Sequence, residues 1–164
     1  MKKTAQRDEN PFKYSDSNKR YHTFDYYLKH RFGEKCAKIS LDAGFSCPNI
    51  DGTAGSGGCI YCSGGSSGAQ CAGTLLQQYE AGIETVRRKW NCRKFIPYLQ
   101  AHTNTYSDTE TLRKVYSEAA NFPGAVMLAI ATRADCLPKE TVALLKEFSE
   151  KIFSSPALSI RSVW

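Results

Sequence analysis

Apolar residues recur along this chain at two spacings, one of two residues and one of three to four, and the alternation between them predicts its elements. Ala37-Lys38-Ile39-Ser40-Leu41 alternates apolar and polar, as a half-buried strand does. From Thr74 onward, Leu75, Leu76, Tyr79, Ile83, Val86 and Trp90 fall on one face of a helix. Arg87, Arg88, Lys89, Arg93 and Lys94 load the end of that helix, where its dipole favours cations. Residues 95–102 read as a second strand; Pro97 cannot donate to a ladder, so the strand is expected to begin at Tyr98. Ser107-Asp108-Thr109-Glu110 is a capping box opening a helix with Leu112, Val115, Tyr116 and Ala119, which Phe122-Pro123-Gly124 ends. The unbroken apolar run of residues 125–131 suits a parallel strand buried on both faces. Pro138 then starts a helix with Val142, Leu145, Phe148 and Ile152 on one side. Upstream, residues 19–32 predict a short helix that Gly33 stops.

Strands alternating with helices of this length imply an α/β fold with a parallel sheet: three βα units preceded by a helix. Between the first strand and its helix lie residues 42–73, rich in Gly and Ser and without periodicity. A loop this long inside a compact domain is usually functional or disordered.

Composition narrows the setting. At 164 residues and 41% hydrophobic, the chain is one ordinary domain in length and can build a core. No stretch is apolar enough to span a membrane, and the basic N-terminus lacks an apolar h-region, so a cytoplasmic protein without a signal peptide is expected. In that reducing setting, seven cysteines with three crowded into one loop point to metal or chemistry rather than disulfides. Net charge is +6, and residues 1–38 hold ten Lys/Arg against five Asp/Glu. The same stretch carries Phe12, Tyr14, Tyr21, Phe24, Tyr26, Tyr27 and Phe32. Basic residues interleaved with aromatics can bind nucleic acid; the alternative is a helix with the aromatics as its buried face and the charges as its solvated one.

Cys47, Cys59 and Cys62 form the pattern C-x11-C-x2-C directly after the first strand. Thiolates select zinc or iron–sulfur clusters. A structural zinc site closes with four ligands, and an electron-transfer 4Fe-4S cluster also takes four cysteines. Three therefore suit a cluster with one iron open. With Cys71 as a fourth ligand, the same cysteines would make a zinc-stabilised nucleic-acid-binding module; as a third possibility, they are incidental. Cys36, Cys92 and Cys136 read as small buried hydrophobes, and His22, His30 and His102 as structural. The Ser63-Gly64-Gly65-Ser66-Ser67-Gly68 run lacks the ending of a P-loop and reads as flexible loop.

The segment from Lys38-Ile39-Ser40-Leu41-Asp42-Ala43-Gly44-Phe45-Ser46-Cys47-Pro48-Asn49 to Gly57-Gly58-Cys59-Ile60-Tyr61-Cys62 resembles a bacterial radical S-adenosylmethionine (SAM) family, related to the radical domain of the Elongator catalytic subunit. Arg20-Tyr21-His22-Thr23-Phe24-Asp25, Leu99-Gln100-Ala101-His102-Thr103-Asn104-Thr105-Tyr106 and Ala131-Thr132-Arg133-Ala134-Asp135-Cys136-Leu137-Pro138 extend the resemblance over roughly residues 10–150. It implies the N-terminal part of a partial (β/α)6 barrel at residues 36–153, after a basic and aromatic extension at 1–35. It implies a 4Fe-4S cluster on Cys47, Cys59 and Cys62, with SAM bound to the open iron and cleaved to a 5′-deoxyadenosyl radical. Tyr61 would pack near the adenine, Gln100, Thr103 and Asn104 would hold SAM's amino group, and Arg133 and Asp135 would face SAM or substrate. Flavodoxin or ferredoxin would supply the electron, and the Elongator kinship puts RNA among the expected substrates. Ala131 and Ala134 depart from the family's usual Gly and Pro. The family continues into further strands, so residues 154–164 are expected to be an aberrant tail of a truncated form, poorly soluble because its strand edges stay open.

Overall fold

The computed structural model describes residues 19–59, 72–154 and 160–162, with side chains as far as residue 150. The backbone divides into two compact units, Met1–Cys36 and Ala37–Trp164. The first unit holds α1 (Phe24–Phe32). Thr23 caps it by accepting from Tyr26 N, and Gly33 closes it at φ 76°, the left-handed geometry that glycine adopts without penalty. The helix starts five residues later than its sequence suggests because Thr23 supplies the cap. Its buried residues are Leu28 and Phe32. Only some of the aromatics form its buried face: Phe32 is buried and Tyr26 and Tyr27 are half-buried, whereas Phe24, 40% exposed, stacks on Tyr27, and Tyr21, before the helix, is 64% exposed.

The second unit is α/β. In sequence order it comprises β1 (Cys36–Leu41), α2 (Leu75–Arg87), β2 (Lys94–Leu99), α3 (Thr109–Ala120), β3 (Leu128–Ile130), a 3-10 turn (Ala134–Cys136), α4 (Lys139–Ser154) and β4 (Ile160–Ser162). The strands lie in the order β1-β2-β3-β4, with β2–β3 and β3–β4 parallel. The fourth strand falls in the segment expected to be an aberrant tail. Ala37, Ile39 and Leu41 of β1, Phe95 and Leu99 of β2, and Leu128 and Ile130 of β3 share one core with Tyr79, Leu112, Tyr116, Leu144 and Phe148 of the helices.

Three local expectations change. Pro97 lies inside β2, not before it. The β2–β3 register explains how: Phe95 bridges Ala125, yet Tyr98 pairs with Ala129, so the β3 side carries one extra residue opposite Pro97. Such a bulge interrupts the ladder where the missing donor would have been needed, and it shortens the apolar run 125–131 to a strand of three residues. On α3 the cap is Asp108, accepting from Thr111 N at 2.9 Å, rather than Ser107. On α4 the buried face is Thr141, Leu144 and Phe148, while Val142 is 49% exposed.

Candidate metal centre

The C-terminal ends of the strands are held level by backbone bonds: Gln100 N donates to Leu41 O at 3.1 Å, and Ala131 N to Leu99 O at 2.9 Å. Gln78 fixes the exit from β1. Nearly buried on α2, it accepts from Asp42 N at 2.8 Å and donates to Asp42 O and Gly73 O at 3.1 Å each. Both ends of the cysteine loop are thereby clamped to one side chain. Asp42 then accepts from Gly44 N, and Phe45 enters the core.

The eleven residues between Cys47 and Cys59 are a folded spacer. Ile50 N and Asp51 N donate to Cys47 O, Ala54 N and Gly55 N to Pro48 O, and Gly58 N to Asn49 O. An antiparallel bridge joins Asp51 to Ser56. Gly52 and Gly57 take φ of 92° and 79°, which lets the chain double back. The spacer therefore returns Cys59 to the residues that follow Cys47, and Asn49 Nδ2 stands 3.1 Å from Cys59 Sγ. Asn49 is two residues from Cys47, so the fold brings the two cysteines into one neighbourhood. Cys47 is buried and Cys59 half-buried. Thr53 Oγ1 bonds Tyr106 Oη at 3.0 Å, and Thr103 N donates to Ser46 O at 3.2 Å; both tie this loop to the one after β2.

The loop after β2 is polar and deeply buried. Asn104 is fully buried, and its Nδ2 lies 3.0–3.2 Å from the carbonyls of Leu99, Ala101 and Ala131. Its Nδ2 straps β2 to β3, while its Oδ1 is buried without a hydrogen-bond partner. Thr103 is 1% exposed. Gln100 is half-buried, with its Oε1 accepting from Ser40 Oγ at 2.8 Å. His102 takes φ 59°, unusual for a residue with a Cβ. Tyr116 donates to Asn104 O at 2.5 Å, and burial holds its hydroxyl well above the ordinary tyrosine range. Thr105 bonds the Thr132 hydroxyl and donates to Cys136 O at 2.7 Å.

After β3, Arg133 forms a two-pronged ion pair with Asp135, at 2.9 Å from Nε and 2.6 Å from Nη2. Its remaining arm, Nη1, stands 4.0 Å from Cys47 Sγ. The pairing raises the Arg133 pKa and lowers that of Asp135, so both stay charged. Burial, then the Asp135 charge, pushes the Cys136 thiol up and keeps it protonated. A cavity of about 650 Å³ opens beside these groups, lined by Pro48, Thr53, Tyr106, Asp135 and Leu137 among others.

Of the residues singled out from sequence, Cys47 stands beside Arg133 and its partner Asp135 at this end of the sheet, Cys59 stands beside Asn49, and Gln100 follows the strand between. Thr103 and Asn104 lie beneath as framework. Cys62, Tyr61 and Cys71 fall outside the described residues, as does the Gly/Ser run of residues 63–68. Among the described residues no three His, Cys, Asp or Glu side chains converge on one point. Asn49, Gln78 and Tyr106 were not singled out beforehand. A polar residue two places after Cys47 was the one available signal for Asn49; Gln78 acts across the fold and leaves no local trace.

The chain is 41% identical to the uncharacterized protein YtqA of Bacillus subtilis over 158 residues, covering 94% of this chain and 49% of YtqA. It is 36% identical to protein YhcC of Escherichia coli K12 over 76% of this chain and 40% of that protein. Against the uncharacterized protein MJ0486 of Methanocaldococcus jannaschii, identity is 32% over 77% of this chain and 39% of the relative. The chain spans about half the length, or less, of these curated relatives. No family model matches it, and no solved structure shows significant similarity.

Proposed function

We propose that this chain is the cluster-bearing part of a radical SAM enzyme, built as the front of a partial (β/α)6 barrel. The observation that carries the reading is the folded spacer. It returns Cys59 to the neighbourhood of Cys47 at the C-terminal ends of parallel strands, where loops carry function in parallel α/β folds.

The donor set suits a cluster. Sulfur ligands of iron are tuned by the hydrogen bonds and charges around them. Asn49 offers an N–H to Cys59, and the Arg133 guanidinium lies beside Cys47. Cys47, Cys59 and Cys62 would hold a 4Fe-4S cluster, which with bound SAM supplies a 5′-deoxyadenosyl radical for hydrogen abstraction. Asp135 holds Arg133 against the sulfur instead of leaving it to solvent. The adjoining cavity falls within the size range of small-molecule sites. Gln100, half-buried just past β2, would meet the amino group of SAM on this reading. The half-exposed aromatics Tyr21 and Phe24 of the basic N-terminal unit support RNA as the substrate class.

The test is reductive SAM cleavage by the reconstituted chain under dithionite, with 5′-deoxyadenosine measured by chromatography. Wild type should release it, and the Cys59→Ala and Cys62→Ala variants should not. Equal release by wild type and both variants would sink the assignment of these thiols.

A further inference from the structure

At the opposite end of the sheet, five cations stand within eight residues: Arg87, Arg88, Lys89, Arg93 and Lys94. The helix dipole explains cations in a helix's last turn only. Since α2 ends at Arg87 with Arg88 as its cap, Arg93 and Lys94 lie beyond its reach. Trp90 sits among them, 46% exposed, although helical spacing assigns it to the buried face. The turn around it is well held. Lys89 N and Trp90 N both donate to Val86 O at 2.9 Å, and Cys92 N donates to Trp90 O at 3.1 Å. Cys92, 2% exposed, pins the far side of the turn in the core. The indole is therefore presented on a fixed backbone, and little ordering cost remains to be met on binding.

We infer that the α2–β2 turn is a binding surface for single-stranded nucleic acid: its cations meet successive phosphates, and Trp90 stacks on an unpaired base. The two features together select this partner. Cations alone would suit any polyanion, but a flat, half-exposed indole among them is the arrangement on which bases stack. Paired bases offer no free face, so the strand is single. The acids on the neighbouring turns, Glu80 and Glu84, leave the turn with a cationic excess. Six residues of β2 separate this end of the sheet from the candidate metal centre, about 20 Å at strand rise. An extended polymer can reach both ends. The surface stands independently of the cluster, so either assignment can fail alone.

The experiment is fluorescence anisotropy of labelled uridine and deoxythymidine 12-mers with the full chain, over a salt series. Trp90→Ala should weaken binding about tenfold, in line with loss of one stacked base, and leave the salt slope unchanged. Trp90→Phe, which keeps a ring, should recover most of the loss and shows that the turn still folds. Replacing Arg88, Lys89 and Arg93 together with Gln should flatten the slope of log K against log salt by about 2, given about 0.7 per phosphate contact on a single strand. Tighter binding of one 12-mer supports the surface and identifies ribose or deoxyribose as the preferred backbone. Failure to bind either 12-mer would overturn the inference. So would affinity indifferent to Trp90 and matched by a polyglutamate peptide, the behaviour of a surface that fits an acidic protein.

Discussion

The loops that follow β1 and β2 run side by side and are built on opposite terms. The loop after β2 spends most of its polar groups on the framework, with His102 Nδ1 and Asn104 Oδ1 left buried and unpartnered. Asn104 serves carbonyls on both strands, Thr105 serves the turn after β3, and Tyr116 reaches up from α3 to hold the Asn104 carbonyl. The loop after β1, over residues 42–59, is half exposed, turns on glycines, and bonds its backbone largely to itself. Its described ties to the framework are Gln78 at its ends, Phe45 in the core, the Thr103 amide on Ser46, Tyr106 on Thr53, and Arg133 beside Cys47. The difference separates two jobs. One loop sets the level of the strand ends; the other, on the proposed reading, would enclose the cluster its cysteines hold.

That contrast predicts an order of effects. Asn104→Leu should cost most, about 3 kcal/mol, because buried carbonyls lose their donor; urea denaturation of the pure chain measures it. Gln78→Ala comes next at about 2 kcal/mol. It should also loosen both ends of the cysteine loop, read as faster amide exchange at Asp42.

Tyr116→Phe should cost about 1 kcal/mol, one hydrogen bond to a buried acceptor. It carries a pH signature as well. The folded Tyr116 hydroxyl titrates above its ordinary value of 10.0, mainly through burial. Its contribution is therefore complete below about pH 10 and is lost as pH rises beyond that. Tyr79, raised by the same cause, adds to this alkaline loss. The variant should soften the loss without abolishing it, as stability measured between pH 8 and pH 11 would reveal.

The smallest effect on stability belongs to the cysteine loop. Asn49→Ala should change unfolding by less than about 0.5 kcal/mol, while lowering the iron retained after reconstitution. If Asn49→Ala destabilises the chain as much as Asn104→Leu, the two loops are one structural unit and the contrast falls.

Much of the fold was legible in the sequence because period and burial agree there. Lys38 and Ser40 point out of β1 between buried neighbours, as alternation requires. Period failed where a single tertiary feature decides. Pro97 enters β2 because a bulge on the neighbouring strand removes the need for its donor. Trp90 leaves the apolar face because α2 stops at Arg87. At the site, cysteine spacing locates the loop, but spacing cannot tell an unstructured spacer from one that folds back on Asn49. Nor could residue type distinguish Asn104, consumed by carbonyls, from a ligand contact. Both distinctions rest on backbone geometry that only the assembled strands create.

The most direct measurement is anaerobic reconstitution of the chain with iron and sulfide, followed by electron paramagnetic resonance after reduction, with and without SAM. The proposal predicts a brown protein whose reduced 4Fe-4S signal shifts when SAM is added and is missing in Cys59→Ala. A colourless protein that instead holds zinc through the same cysteines, or a cluster signal indifferent to Cys59, would contradict it.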